Sequence, residues 1–383
     1  MAAFDPSVPD SRAWRSGTIL WYPTLFAIGL ILFVTLSAQF APAPALQTMV
    51  GSSAGGMAAN DPTAELVAQS ERLLRAISRV PASTPQLIQG FQHDQGIARR
   101  LGAMITLQQR DRQATAALIA ALADPNRGVR VAAIQVLGWQ QAKAAIEPLL
   151  NATFDADVQV REQAVWALGE MGALEAVPRL HELQIAQSSF YVQQSAYLAE
   201  QRLVEAVAAA LNLGPSEVHL LAATRANGWA YALTADQLYL RRSGVWQAVG
   251  GLPDAAIGLS VGLDGTLLYL ATVSSGLYRS RDGGQSWERV RLDLKPLTEF
   301  AVTGVVVNSQ NVKQVYIAVA AAELPSNRPS SMGIWASDDD GKSWTLLPGA
   351  PQDYATTRLV LEPAAPNYLY GQTGVGTWRY TLK

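Results

Sequence analysis

Residues 280–287 read Ser-Arg-Asp-Gly-Gly-Gln-Ser-Trp, and residues 337–344 read Ser-Asp-Asp-Asp-Gly-Lys-Ser-Trp. A catalytic loop is needed once, whereas a turn is needed wherever a structural unit recurs, so a repeated S-x-D-x-G-x-S-W frame points to architecture. The residue types fit a turn: Asp accepts backbone N–H groups, Gly permits positive φ, and Trp supplies a large apolar face. Each copy follows a short strand-like phrase, Gly276-Leu-Tyr278 or Gly333-Ile-Trp335, and related phrases stand at Gln237-Leu-Tyr239 and Gly376-Thr-Trp378. Their aromatic residues are spaced by 39, 57 and 43 positions, and the long interval holds a proline-bearing insertion at 321–332. With the insertion set aside, the period is that of a propeller blade, about 40–45 residues. From Gly214-Pro215 onward the hydrophobic pattern alternates, as in TLLYLATV and QVYIAVA, with Gly, Asn and Asp between runs. Four blades are expected over 214–383, with Arg241-Arg-Ser-Gly-Val-Trp246 as a shortened copy of the turn. Either the leading strand near 218–224 pairs with the last blade and closes the array, or the array stays open and a partner covers it.

Upstream of Gly214 the pattern is helical and repeats at a different period. Asp124, Val129, Arg130, Ala133, Leu137 and Gly138 recur 31 residues later as Asp155, Val160, Arg161, Ala164, Leu168 and Gly169. A weaker copy lies around Arg99, an irregular one at YVQQSAYLAEQR, and second helices fall between copies. Two helices per unit at a period near 30 describe an α-solenoid, in which each pair buries its apolar face by stacking on the next. The helical domain is expected over 61–213, opening at Asp61-Pro62, a cap followed by proline at the first helical position.

Both patterns resemble known families. D-x-x-x-x-V-R-x-x-A-x-x-x-L-G is similar to the HEAT-like repeats of phycobilisome lyases, clearly over 94–185 and loosely to 61 and 213. That resemblance implies that Asp124, Arg130, Asp155 and Arg161 brace neighbouring repeats through the preceding Asp or helix-end carbonyls. The S-x-D-x-G-x-S-W frame resembles the Asp-box, or BNR, hairpin of β-propellers, found in sialidases, sortilin-type receptors and photosystem II assembly and stability factors. It implies turn roles for Ser280, Asp282, Gly284, Ser337, Asp339 and Gly341, with Trp287 and Trp344 packed between sheets.

The N-terminal stretch sets the expected cellular context. Residues 18–38, TILWYPTLFAIGLILFVTLSA, carry no charge and at helical rise cross a bilayer core of about 30 Å. Arg12 and Arg15 precede them and no Lys or Arg follows before Arg72, so residues 1–17 are expected to remain cytoplasmic. Residues 39–60, rich in Ala, Pro, Gly and Ser, then read as a linker to extracytoplasmic domains. The competing reading is a cleaved signal peptide ending near Ala43-Pro-Ala45.

Chemistry is harder to find. The chain has no cysteine and three histidines, His93, His181 and His219, which excludes thiol nucleophiles, disulfides and cysteine-ligated metals. A net charge of −2 without a basic stripe gives no nucleic-acid footprint. Arg279, Arg281 and Arg291 do not form an arginine triad with a tyrosine–glutamate pair and read as surface residues, while Asp338-Asp-Asp340 lacks calcium-loop spacing. No catalytic, cofactor or metal site is expected. The sequence therefore points to a multidomain α-then-β chain: a single transmembrane helix, a HEAT-like solenoid and a small Asp-box propeller. The expected role is a non-enzymatic membrane scaffold binding other protein subunits. The photosystem and phycobilisome resemblances suggest an accessory subunit of a bacterial photosynthetic or respiratory electron-transport complex, of the alternative complex III type. The competing roles are a transient assembly factor, a degenerate glycosidase and a surface receptor.

Overall fold

The computed structural model describes residues 84–93 and 114–382, apart from 187–188, 225, 273, 296, 298–299, 322–330, 352–353 and 362–366. The expected tail, transmembrane helix and linker, residues 61–83 of the helical domain, the repeat around Arg99 and most of the 321–332 insertion lie outside these residues. Among the described residues no helix is long and apolar enough to cross a membrane.

The helical part comprises α1 (Thr84–His93), α2 (Thr115–Ala120), α3 (Arg127–Trp139), α4 (Ile146–Ala152), α5 (Val158–Glu170), α6 (Val177–Ala186) and α7 (Phe190–Leu211). Repeat residues set the helix starts. Asn126 accepts from the Gly128 amide at the head of α3, and Asp157 from the Gln159 and Val160 amides at the head of α5. The repeat glycines set the stacking distance. A Cβ on Gly138 would lie 2.9 Å from the Ala167 Cβ, and one on Gly169 2.9 Å from the Ala199 Cα. Glycine at these positions lets α3, α5 and α7 lie side by side at close range. Trp139 and Trp166 meet edge to face across the α3–α5 seam, 5.6 Å between ring centroids. Asn212, in the left-handed region at φ 57°, terminates α7.

Four antiparallel sheets follow, each in simple up-and-down order. The first holds β1 (Leu220–Ala223), β2 (Ala230–Leu233), β3 (Leu238–Arg242) and β4 (Val245–Ala248). The second holds β5 (Ala256–Val261), β6 (Leu268–Thr272), β7 (Gly276–Ser280) and β8 (Glu288–Arg289). The third holds β9 (Phe300–Val307), β10 (Val315–Ala321), β11 (Ser331–Ser337) and β12 (Thr345–Leu346), and the last has three strands, β13 (Thr356–Leu361), β14 (Tyr368–Thr373) and β15 (Gly376–Thr381).

Strand β10 shows why its sequence is apolar throughout. Val315, Ile317 and Val319 pack toward Tyr269, Ala271 and Leu277 of the second sheet. Tyr316 and Ala318, on the opposite face, pack toward Leu359, Leu361 and Leu369 of the fourth. An inner sheet buried on both faces loses the polar half of the strand alternation. The same division runs through β6, where Leu268 and Leu270 join Tyr231 and Leu238 of the first sheet.

Of the two sequence-based expectations for closure, strand pairing does not occur among the described residues. β1 pairs with β2 alone, and the fourth sheet pairs within itself. The covering element is one of the chain's own helices: α6 packs against β1 of the first sheet and against β13, β14 and β15 of the fourth. Ser83–Lys383 is accordingly one compact unit.

Candidate functional site at the junction of helices and sheets

The two hairpin boxes are built alike. In the first, the Ser280 hydroxyl donates to Asp282 Oδ1 (2.7 Å) and accepts from the Gly284 amide (2.8 Å). Asp282 accepts from the Ser286 amide (2.9 Å) and hydroxyl (2.5 Å). In the second, Ser337 bonds Asp339 and the Gly341 amide at 2.8 Å each, and Asp339 accepts from the Ser343 amide (2.9 Å) and hydroxyl (2.6 Å). The Ser286 hydroxyl is the leading cause that holds the Asp282 carboxyl down at about 2, and Ser343 holds Asp339 well below the usual carboxylate range. Trp287 packs on the core between the first and second sheets, Trp344 on the core between the second and third. Each box thus fastens its own sheet to the preceding one. The shortened copy is a two-residue turn, Ser243-Gly244, with both residues at positive φ.

Arg279 and the acidic run Asp338–Asp340 do more than the sequence shows. Arg279 is largely buried rather than a surface residue: it pairs with Glu288 (2.6 Å) and with Asp340 (3.0 Å). Asp340 also accepts from the Tyr269 hydroxyl (2.6 Å) and from Arg281. The three acids diverge, with Asp338 exposed, Asp339 inside its box and Asp340 bridging to the second sheet. Among the described residues no cluster of His, Asp and Glu is arranged to hold a metal.

In the helical stack, Arg130 donates to the Asp124 carbonyl (2.9 Å) and to Asp155 of the next repeat (3.0 Å). Arg161 donates to the Asp155 and Ala156 carbonyls at 2.8 and 3.0 Å. The repeat arginines therefore close the inter-helix loop, and Arg130 alone of the two reaches the following repeat's acid. A second buried pair, Arg179–Glu182 at 2.5 Å, ties α6 to Thr153, whose hydroxyl accepts from Arg179 at 2.9 Å.

The cluster that joins the two repeat systems centres on Glu200. Glu200 is 7% exposed, and its carboxylate meets His181 Nε2 (2.8 Å), Gln184 Nε2 (2.6 Å) and Arg358 Nη2 (3.2 Å). Arg358 lies on β13 and also donates to Gln184 Oε1 (3.3 Å), so it brings a charge from the sheets into the cluster. Burial pushes the Glu200 carboxyl up, but His181, Arg358 and Gln184 together outweigh it and hold the group far below the usual carboxylate range. Burial and then Arg358 push His181 below its ordinary value, against Glu200. His181 is therefore neutral near pH 7, and since an ionised carboxylate only accepts, Nε2 carries the proton. Beside this cluster Val177, Pro178 and His181 line a cavity of about 380 Å³ whose other walls come from β1, β5 and β9 with the residues just after them, and from β13. Two of its polar groups are engaged with the chain itself: Ser260 accepts from the Val307 amide, and Asn308 bonds Gln314.

None of Glu200, Gln184 and Arg358 stands out by motif, and His181 stands out only as one of three histidines. A signal was nevertheless present. Val192, Ala196 and Ala199 follow Val160, Ala164 and Ala167 by 32 positions, so Glu200 falls where Leu168 stands, itself 31 after Leu137. Both leucines are fully buried. A carboxylate at a core-leucine position requires a buried partner, and the partners come from α6 and β13.

A family model for HEAT repeats matches residues 84–153 and 115–200. A xyloglucanase of Paenibacillus sp. is 25% identical over 193 residues, 43% of this chain; the chain spans 18% of that relative's length. Among solved structures, YCF48 bound to a D1 peptide is 18% identical over 40% of this chain and 48% of its own, with a TM-score of 0.28. The complex of CpcE and CpcF of phycocyanin lyase from Nostoc sp. is 21% identical over 44% of this chain and 76% of its own, with a TM-score of 0.30.

Proposed function

We propose that the chain is a non-catalytic, membrane-anchored scaffold, held by residues 18–38 in the bacterial inner membrane with its N-terminus in the cytoplasm and its bulk outside. Its partners are the subunits of a photosynthetic or respiratory electron-transport complex, of which it is an accessory subunit. The observation that carries the reading is the junction: the helical stack and the sheets, two architectures that serve mainly as binding surfaces, are locked into one body by the buried Glu200–His181–Arg358 cluster. The strongly shifted acids support it as well. Asp282 and Asp339 spend their hydrogen-bonding capacity inside hairpins, and Glu200 spends its own inside the junction, which leaves these three engaged in structure rather than as a general acid or base.

The test is co-purification. A C-terminal tag in the native bacterium, mild detergent and a native gel should give constant stoichiometry with haem- or pigment-bearing subunits. Migration with precursor fractions alone would replace this reading with a transient assembly factor. Turnover of a glycoside lost on deletion of residues 214–383 would overturn the non-catalytic reading.

A further inference from the structure

The leading strands of all four sheets, β1, β5, β9 and β13, end on the cavity beside His181. Three of them bring branched side chains to its wall, Leu259, Val306 and Val360 among them, whereas β1 ends in Ala222-Ala223. That step down in side-chain size opens a space of about 380 Å³, in a fold whose interior otherwise packs Leu, Val and Tyr against one another. Leu263, just past β5 and 52% exposed, stands at its rim.

The chemistry of the wall selects the occupant. No Asp, Glu, Lys or Arg lines the cavity. The nearest charges are spent elsewhere: Asp264, next to the rim, accepts from the Thr266 amide and hydroxyl, and Glu200 pairs with Arg358. A charged molecule would therefore enter without a counter-ion. Two polar groups of the wall nevertheless have capacity to spare. Ser260, 9% exposed, accepts from the Val307 amide at 2.9 Å, and its own hydroxyl hydrogen meets no acceptor among the described residues. His181 spends Nε2 on Glu200, so the neutral ring keeps Nδ1 as an acceptor, to which no described residue donates. A buried donor and a buried acceptor are costly until something pairs with them.

We propose that this cavity binds an uncharged, largely apolar alcohol, whose oxygen accepts from Ser260 or whose hydroxyl donates to His181 while its carbon body fills the space beside β1. An apolar cavity of about 150 Å³ holds one benzene, so this one holds roughly 15 non-hydrogen atoms. Mostly aliphatic walls with a few directed polar groups are the usual form of a small-molecule pocket. The site goes beyond the scaffold role and does not depend on it.

The chain has no cysteine, so a single thiol can report on the wall. Val360→Cys places one there, and Val375→Cys places a control in the turn between β14 and β15, where Val375 is 65% exposed. The probe is naphthol, with naphthalene as the body without the hydroxyl and naphthoate as the charged counterpart. In the full chain, naphthol at ten times its Kd should slow methanethiosulfonate modification of Val360→Cys about tenfold by mass action and leave Val375→Cys unchanged. Naphthalene should bind about three- to tenfold more weakly, and naphthoate more weakly still. Ser260→Ala, in the Val360→Cys chain, should weaken naphthol and leave naphthalene nearly as it was, which narrows the ratio between them. No protection by naphthol, equal protection by naphthoate, slowing of both thiols alike, or an unchanged naphthol-to-naphthalene ratio in Ser260→Ala each overturns the site. A Val360→Cys thiol inert before any probe is added overturns it too, since the chain itself then fills the space. If Ser260→Ala loses its native melt, the order of the three probes on the otherwise native wall decides alone.

Discussion

Substituting Arg358 by Ala removes the positive charge that faces Glu200 and leaves that carboxylate with His181 and Gln184 alone, both neutral donors at pH 7. Removing one member of a buried pair costs about 3–5 kcal/mol when the remaining charge has no other partner. Glu200 is 7% exposed and keeps two hydrogen bonds at 2.8 and 2.6 Å, while the Arg358 side chain is 25% exposed and is partly solvated already. The loss should therefore fall below that range, at about 2–3 kcal/mol, or roughly 5 °C in the melting transition of a unit this large. Replacing Glu200 with Leu restores the residue that Leu137 and Leu168 supply in the preceding repeats. In the Arg358→Ala background it should then recover most of the loss, because no buried charge remains to be compensated. Melting followed by circular dichroism, with hydrogen exchange on α6 and β13, reads both steps. Equal melting of Arg358→Ala and wild type, or an Arg358→Ala/Glu200→Leu variant no more stable than Arg358→Ala, would refute the claim that the pair couples helices to sheets. The pH dependence has a definite sign. His181 and Glu200 both titrate below their unfolded values, so the unfolded chain binds more protons and stability falls with acid. The fall begins as pH drops through the ordinary histidine value of about 6.5 and steepens below the glutamate value of about 4.3. Glu200→Gln should remove the lower part of that slope and keep the upper part, because burial and Arg358 depress His181 while Glu200 opposes them.

The hairpin boxes yield further expectations. Gly284→Ala places a Cβ 2.6 Å from Leu238 Cδ2 on a backbone at φ 93° and should cost about 2 kcal/mol or more, whereas Gly251→Ala, with nothing nearby, should be close to neutral in the same melt. Trp344→Ala empties a site between the second and third sheets and should cost about 3 kcal/mol or more; an unchanged denaturant midpoint would count against its packing role. Asp339→Ala should lower the melting temperature by removing the carboxylate that accepts from the Lys342 and Ser343 amides, without exposing the core, which dye binding would register. Acid titration should release the Asp282 contribution as pH falls from the ordinary aspartate range toward about 2, and Asp282→Asn should remove that part of the curve. Tyr269→Phe should cost about 1 kcal/mol by silencing one donor to Asp340, with Arg279 still in place.

What could be read from sequence was whatever recurs. The S-x-D-x-G-x-S-W frame specifies a turn locally: its Ser, Asp and Gly contact one another within a few residues, so the pattern and the structure coincide. The repeat Asp–Arg pairs were legible for the same reason, and the helix caps at Asn126 and Asp157 fall where the 31-residue period puts them. What was not legible was long-range and single. Tyr269 meets Asp340 across 71 positions, and Arg358 meets Glu200 across 158. No period links these residues, so they have no partner in the sequence pattern even though each violates a local rule. Arg279 in a hairpin reads as a surface charge because nothing near it in sequence announces Asp340.

The exceptions to the repeat therefore carry the architecture that the repeat itself cannot. A solenoid built only of Leu-Gly units would accept another helix at its end, and an array of sheets without end pairing would expose both flanks. The chain departs from the repeat at Glu200, where leucine would have continued the core, and answers the buried charge with an arginine on the fourth sheet. The substitution carries a desolvation penalty that an apolar contact would not. It also makes one docking geometry much better than its neighbours, since a shift of α6 along the sheets strands a carboxylate without its counter-ion, while an apolar seam tolerates sliding. If specificity is what the pair supplies, Glu200→Leu/Arg358→Met should match or exceed wild type in melting temperature yet show faster hydrogen exchange across α6 and β13. Unchanged exchange in that variant would mean that apolar packing of α6 against β1, β13, β14 and β15 fixes the junction without the charges.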